Sequence, residues 1–335
     1  MQELKLAVIG AGSWGTALAR LMCGSGCNVW LWTRDAAHAE ALQRDRENNR
    51  YLPGFPFEPD IRVSCDIGET VGGADVVVIA VPSDAVAEVS SLLGGVLKSG
   101  AAIVSASKGL DSETGRRVSE VIAAEIPGAG NTLAALSGPN LAVELAAGVP
   151  TAGVIACADD DTARFCRMVL GGPTFRLYTC HDIVGVELGG ALKNVMAIGA
   201  GICEGMGFGD NAKAALMTRG LAEMTRLGCA LGAKAETFAG LSGVGDLMAT
   251  ASSRLSRNLR VGLALGQGQC LDEALVEIDQ VAEGVPTTRA ALRLSEKTGI
   301  EVPISAEIHS ILFEGRPPAE GLRNLMARTW KDEVH

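Results

Sequence analysis

Leu4-Lys5-Leu6-Ala7-Val8-Ile9-Gly10-Ala11-Gly12-Ser13-Trp14-Gly15 decides the fold. Leu4 to Ile9 is a short apolar run that ends in glycine, and it reads as a strand. Gly10, Gly12 and Gly15 make a GxGxxG pattern, and an Ala- and Leu-rich helix is expected from about Ser13 to Cys23. The glycines alone are a weak signal, because any α/β protein can carry a glycine-rich turn. A strand before them and a helix after them supply the context that gives the pattern meaning. Gly10 then permits the tight turn, Gly12 lets the backbone reach a pyrophosphate, and Gly15 lets the helix pack on the strand. The helix start, with Ser13 and Trp14, offers free N–H groups and partial positive charge to an anion.

The pattern continues outward from this unit. Asn28–Thr33 reads as a second strand, followed by Asp75–Val81, Ala101–Ser105, Leu133–Ser137, Thr151–Cys157 and Thr174–Tyr178. Asp75–Val81 is apolar almost throughout, as expected when helices cover both faces. Helical patterns separate most of these runs, so the sheet is expected to be parallel or mostly parallel and doubly wound. After about His181 the strand signal stops. Helices are expected at His181–Gly201, Asn211–Leu231, Arg257–Leu265, Thr287–Thr298, Ile304–Phe313 and Pro318–Met326. The fold class is therefore α/β: a Rossmann-like doubly wound sheet over residues 1–182, followed by an all-α helical C-terminal domain over 183–335. No internal repeat is visible, and no disordered tract is expected before the last few residues.

Composition narrows the function. The chain has 335 residues, 47% of them apolar, which suits two soluble domains with sizeable cores. Its net charge of −10 argues against a nucleic-acid partner. The nine cysteines include no CxxC pair. Cys23 and Cys27, expected on one helix, have no matching histidines, so the thiols read as reduced core residues of a cytoplasmic protein and no metal site is expected. Glu3 is out of place in a signal peptide. Ile126–Val143 is uncharged but broken by prolines and glycines, so it reads as a turn, a strand and a helix start rather than a membrane span.

Two further segments carry chemistry. The second strand ends Trp32-Thr33-Arg34-Asp35. An acid there would take the ribose 2′-hydroxyl of NAD, whereas Arg34 is suited to a 2′-phosphate. NADP is therefore the preferred cofactor. Asp35 follows one position late and keeps NAD open, and an ordinary surface arginine is the bland alternative. Lys193 is the one Lys or Arg between Arg176 and Lys213, set among small apolar neighbours. Desolvation would lower its pKa and let it trade protons near neutral pH, with Asn194 beside it as donor and acceptor. A snorkelling surface lysine is the alternative.

Longer segments make the reading specific: KGL at Lys108–Leu110, SGP at Ser137–Pro139, ELAAGVPTA at Glu144–Ala152 and ELGGALKNV at Glu187–Val195. GMGFGDNAKAAL at Gly205–Leu216, TRGLAEMTRLG at Thr218–Gly228, GLSGVGDLMAT at Gly240–Thr250, SRN at Ser256–Asn258 and AEG at Ala282–Gly284 follow in order. In these, and in GAGSWGTALA at Gly10–Ala19, the whole chain resembles bacterial NAD(P)-dependent sn-glycerol-3-phosphate dehydrogenase. The resemblance implies that Lys193 exchanges a proton with the substrate oxygen and that Asp246 holds Lys193, with Thr250 four residues on. It implies that Lys108 contacts substrate and cofactor, that Ser256, Arg257 and Asn258 grip the substrate phosphate, and that Gly138 lines the substrate site. It further implies cofactor contacts at Asn140, Ala142, Arg257, Val281 and Glu283. One departure stands out: Asn140-Leu141 replaces the family's usual Ser or Thr and aromatic residue.

The reaction so implied interconverts dihydroxyacetone phosphate and sn-glycerol 3-phosphate, supplying glycerol phosphate for phospholipids. A homodimer is expected, since symmetric dimers are the commonest assembly. Each residue also has a bland reading: Asp246 as a helix N-cap, Arg257 as a surface charge, Ser137–Pro139 as a turn, Lys108 as a solvated lysine. A β-hydroxyacid dehydrogenase would share the two-domain plan, but its second asparagine lies further along and its substrate carries a carboxylate. A non-catalytic NADP(H) sensor would need the glycine loop but not Lys193, Asp246 and Arg257 together.

Overall fold

The computed structural model describes residues 4–24, 26–278, 280–329 and 332, with the side chain of Asn131 outside that description. Glu3 and most of the last few residues, on which two expectations above rest, lie outside the described residues. The strands in chain order are β1 (Lys5–Ile9), β2 (Asn28–Trp32), β3 (Glu47–Asn48), β4 (Leu52–Pro56), β5 (Arg62–Ser64), β6 (Val76–Ile79), β7 (Ala102–Ser105), β8 (Leu133–Ser137), β9 (Thr151–Cys157) and β10 (Phe175–Cys180). Eight of them form one sheet in the order β10-β9-β8-β7-β6-β1-β2-β5. Every neighbouring pair is parallel except β8 and β9. The order reverses between β1 and β6, which is where ligands bind in open sheets of this kind.

The continuous apolar runs have a direct cause. Leu6, Val8, Leu31, Val76 and Val78 face one buried core, and Ala7, Ile9, Val77, Ile79 and Ile103 face another. Alternate residues thus serve opposite layers, and neither face tolerates a charge. The sequence reading missed β5 and the separate antiparallel hairpin β3–β4. β3 has two residues and β4 contains two prolines, so neither shows an alternating pattern.

β10 ends at Cys180, and every later element is helical among the described residues. The helix Ile183–Gly205 is the axis of this part, with every residue from Gly185 to Cys203 buried. It is long and apolar enough to cross a membrane, but it lies inside protein. Val186 packs beside Ala135, Val154 and Ala156 of the sheet, and a side-chain carbon on Gly190 would lie 2.5 Å from Ser137 Oγ. Further along, Gly201 and Gly205 face the Arg257–Gly266 helix at Gly262 and Gly266. A Cβ on Gly201 would lie 2.2 Å from Leu259 O, and one on Gly262 would lie 2.0 Å from Ile198 O. The two helices therefore touch backbone to backbone, which draws the residues around 257 toward those around 194.

Two expectations need correction here. Cys27 does not share a helix with Cys23, because the helix Ser13–Cys23 stops there with Gly24 as its cap. The helix implied by Asp246 and Thr250 runs Asp246–Ser252, and the helix Leu271–Ile278 was not foreseen. The first follows a wide π-type turn at Leu241–Gly245, where glycines hide the helical pattern. No cysteine forms a disulfide among the described residues, but only Cys157, Cys166 and Cys203 are buried, so the expectation of core thiols fails for the other six.

Candidate active site

The glycine loop sits at the end of β1, where the strand order reverses. Gly10 has φ +116°, and a Cβ there would lie 2.7 Å from Ala80 O. A Cβ on Gly15 would lie 1.9 Å from Gly10 O, so the first helical turn rests directly on the loop. Gly12 has open space before it, and as N-cap it leaves the first-turn N–H groups without a side-chain acceptor. No acid stands in that turn. Uncapped amides facing open space, with no negative charge among them, fit a dinucleotide pyrophosphate.

Asn48, unmarked in the sequence, braces this loop: its buried Nδ2 donates to Ala11 O at 2.9 Å and to Thr16 Oγ1 at 2.8 Å. Ser13 Oγ donates to Tyr51 O at 2.6 Å, and Tyr51 stands edge-on to His38 at 5.5 Å. The missed hairpin thus forms one wall of the mouth. Trp14 Nε1 is buried without a hydrogen-bond partner among the described residues. Arg34 is mostly exposed, with Glu88 at 3.9 Å. Asp35 is engaged by its own helix, accepting from the N–H groups of Ala37 at 3.0 Å and His38 at 3.3 Å. Ala142 opens the helix Ala142–Ala146, and Val281 is exposed. Glu283 crosses from the helical part to accept from Ser83 N at 3.2 Å and Ser83 Oγ at 2.7 Å. Burial pushes its carboxyl up, against the pull of Ser83 and Arg257.

The second half of the site is a network of charges. Lys193 is 5% exposed, which excludes the snorkelling alternative. Its Nζ donates to Thr250 Oγ1 at 2.5 Å and lies 2.9 Å from Asp246 Oδ1. Thr250 in turn donates to Asp246 Oδ1 at 3.1 Å. Lys108 Nζ donates to Asp246 Oδ2 at 2.8 Å, to Gly138 O at 2.8 Å and to Asn140 Oδ1 at 2.5 Å. Asp246 therefore bridges the two lysines with one oxygen each, and its backbone cap is Gly245, so the N-cap reading fails. Burial would raise the Asp246 carboxyl, but the two ammoniums outweigh it and hold it below the usual range. Burial pushes Lys193 down from 10.5 to about 8, with Asp246 pulling up and Lys108 and Arg257 pushing further down.

An ammonium has three N–H groups. Those of Lys108 all have partners, whereas Lys193 has two partners among the described residues. Lys193 is the ammonium with a hydrogen left to give.

A third cluster adjoins it. Asn194 Nδ2 donates to Gly190 O at 3.3 Å and reaches Lys108 O at 3.5 Å, and its Oδ1 accepts from Asn258 Nδ2 at 2.8 Å. Asn258 Oδ1 accepts from Gly284 N at 2.9 Å. Ser256 Oγ caps the Arg257–Gly266 helix by accepting from Leu259 N at 3.2 Å, a structural task that the sequence did not mark. Arg257 is the first residue of that helix, and burial pushes its guanidinium down against the pull of Glu283. Lys108, Gly138, Asn140, Lys193, Asn194, Asp246, Thr250 and Asn258 are thus joined by hydrogen bonds, with Arg257 and Glu283 alongside. Arg34 stays at the far rim. No group of three or more His, Cys, Asp or Glu is placed to hold a metal among the described residues.

Comparison with known proteins places this geometry. Residues 5–163 match the family model of the NAD-dependent glycerol-3-phosphate dehydrogenase N-terminus, and residues 182–323 match that of its C-terminus. A glycerol-3-phosphate dehydrogenase (NAD(P)+) of Nitratidesulfovibrio vulgaris is 48% identical over 330 residues, spanning 98% of this chain and 100% of that one. The crystal structure of glycerol-3-phosphate dehydrogenase from Coxiella burnetii superposes with a TM-score of 0.93 at 40% identity, covering 97% of this chain and 99% of that one. The Saccharomyces cerevisiae enzyme gives 0.82 at 26% identity, covering 98% and 100%. With both halves matched in order and the lysine network seated where the two meet, the chain belongs to the NAD(P)-dependent glycerol-3-phosphate dehydrogenase family of oxidoreductases.

Proposed function

We propose that this chain interconverts dihydroxyacetone phosphate and sn-glycerol 3-phosphate, with Lys193 as the general acid in reduction and the general base in oxidation. The observation that carries this reading is the unequal state of the two ammoniums that share Asp246. Lys108 has every N–H engaged, while Lys193 keeps one and has a pKa of about 8. A group poised near the working pH can both give and take a proton.

Arg257 and Asn258 hold the phosphate end of the substrate, which orients the reacting carbon. Ser256 contributes by fixing the helix start. The nicotinamide, when bound, supplies the hydride. Lys193 then gives its free hydrogen to the C2 oxygen, while Asp246 and Thr250 keep its Nζ in place. Lys108 acts by its charge and by holding Asp246 and the Gly138–Asn140 loop. NADP is the preferred dinucleotide in this reading, because Arg34 is exposed and held only loosely by Glu88 at 3.9 Å, while Asp35 is occupied as a helix cap. The division into domains at 182, the homodimer, the cytoplasmic setting and the supply of phospholipid precursor belong to the same proposal.

The test is NADPH and NADH oxidation with dihydroxyacetone phosphate by wild type and Lys193→Ala. Turnover by wild type that falls about 10²–10⁴-fold in the variant, with dinucleotide binding intact, supports the reading. Wild-type turnover retained in Lys193→Ala removes Lys193 as the acid. Dinucleotide binding without turnover by wild type removes the substrate.

A further inference from the structure

Glu187 is a buried carboxylate with no part in the mechanism above. Its side chain is 5% exposed. Oε1 accepts from Ser119 N at 2.7 Å, and Oε2 accepts from Arg117 Nη1 at 2.7 Å and from Ser119 Oγ at 2.5 Å. Glu187 stands on the Ile183–Gly205 helix of the helical part, and both partners belong to the sheet part. It serves from outside as an N-terminal acceptor for the helix Val118–Glu125, whose first amides have no intrahelical partner.

The location of those partners gives the contact its interest. Arg117 forms an isolated bridge with Leu110, two residues beyond Lys108, and Asp111 N donates to Arg116 O at 3.0 Å. Lys108 and the Arg117–Ser119 segment are therefore the two limbs of one loop. On the other side, Glu187 and Lys193 lie six residues apart on one rigid helix, about 9 Å along its axis. Near the lysines, the Asn194 contact with Lys108 O is a weak tie at 3.5 Å, and the Lys108 ammonium on Asp246 at 2.8 Å is carried by a flexible side chain rather than by the loop backbone. The Glu187 contact is the strong one, charge-assisted and dry.

We propose that Glu187 is a positioning residue: by fastening the Lys193 helix to the base of the Lys108 loop, it sets the separation of the two lysines across the cleft. The proposal rests on the reading of Lys193 as the proton donor. Asp246 travels with Lys193, because both belong to the helical part. Lys108 is also held to the helical part by Asp246 at 2.8 Å, so loosening the Glu187 contact leaves that single ion pair to hold the loop, and the separation of Lys108 and the sheet part from Lys193 widens while Asp246 stays beside Lys193. The charged groups facing Lys193 are Asp246, Lys108 and Arg257. Those facing Glu187 are Arg117 and, through Arg117, Glu120 at 3.1 Å. Both influences that are lost hold the Lys193 pKa down, so loosening raises it.

The experiment compares wild type, Glu187→Gln, Ser119→Ala and Lys193→Ala in dihydroxyacetone phosphate reduction. It reads the pH–rate profile, the NADPH dissociation constant and the thermal midpoint. Glu187→Gln keeps the shape but replaces an acceptor by an amide donor facing Arg117 and Ser119. Its turnover is expected to fall about tenfold, with the profile midpoint rising by about half a pH unit or more and NADPH affinity staying within about twofold. Ser119→Ala removes one donor, keeps Arg117, and should move the profile the same way by a smaller amount. It also preserves the test should Glu187→Gln not fold. A lowered thermal midpoint with an unmoved profile would reduce Glu187 to a brace and overturn the proposal alone. Retained turnover in Lys193→Ala would remove the underlying reading and the proposal together.

Discussion

The two sides of the cleft are built by opposite means. The dinucleotide mouth is made of consecutive residues, Gly10 to Gly15, and its binding groups are backbone amides. The proton-handling side is made of side chains from residues 108, 140, 193, 246 and 250, supplied by four separate segments and closed by one shared carboxylate. A backbone site depends on what is missing, since a Cβ at Gly10 or Gly15 would collide with neighbouring carbonyls. A network site depends on what is present, since the three hydrogens of Lys108 and two of those of Lys193 need their named acceptors. The first should fail through shape and the second through charge.

Substitutions can break or sharpen that contrast. The largest effect after loss of Lys193 itself should come from Asp246→Asn, which removes the buried charge between two ammoniums. Breaking a buried pair from one side costs about 3–5 kcal/mol, so the thermal midpoint should fall. Losing the Asp246 pull lowers the Lys193 pKa, so the reductive profile should move below pH 8 and turnover at pH 8 should drop about 10²-fold. An unchanged profile in that variant would mean that Asp246 is not the charge that sets Lys193.

Gly15→Ala is the matching change on the mouth. It should weaken NADPH binding about tenfold by lifting the first helical turn off Gly10, and should leave the pH profile where it is. A moved profile would show that the two sides are not independent.

In wild type the sign of the pH response should differ with direction. Reduction needs Lys193 charged, so its kcat/KM should fall as pH rises through about 8. Oxidation needs Lys193 neutral, so its kcat/KM should rise through the same value. Two profiles bending the same way would contradict one group serving both roles. The smallest effect is expected from Arg34→Ala. It should raise KM for NADPH a few-fold, about 1 kcal/mol for an exposed charge pair, and leave KM for NADH unchanged. Equal changes in both would remove Arg34 as the discriminator.

The contrast also explains what was legible in the sequence. The sheet was legible because both its faces are dry, so β6, β7 and β8 contain no interruption. Lys193 was legible because an isolated cation among glycines and alanines has few bland explanations. The hairpin carrying Tyr51 and the buried Asn48 was not, since β3 is two residues long and a lone asparagine in a polar stretch looks like any loop residue. The saturation of Lys108 was also hidden, because one of its acceptors is the carbonyl of Gly138, a backbone atom whose direction follows from φ +127°. Glu187 was quoted within a motif, but its partners lie about seventy residues earlier, and no local pattern joins them.

The reversed pair β8–β9 has one more consequence, best expressed as length. β9 and β10 run opposite to β8, so the chain leaves β10 at the foot of the sheet, away from the mouth. The helix that follows must climb the whole sheet before it can meet a ligand. Five residues of β8 measure about 17 Å, and the ten steps from Ile183 to Lys193 measure about 15 Å. The strand thus acts as a ruler that fixes how far along the rod the reactive amine must stand. Had β9 run the other way, the helix would begin at the mouth and any lysine offered there would ride on a fraying first turn. The reversal sets it mid-span, where a helix bends and frays least.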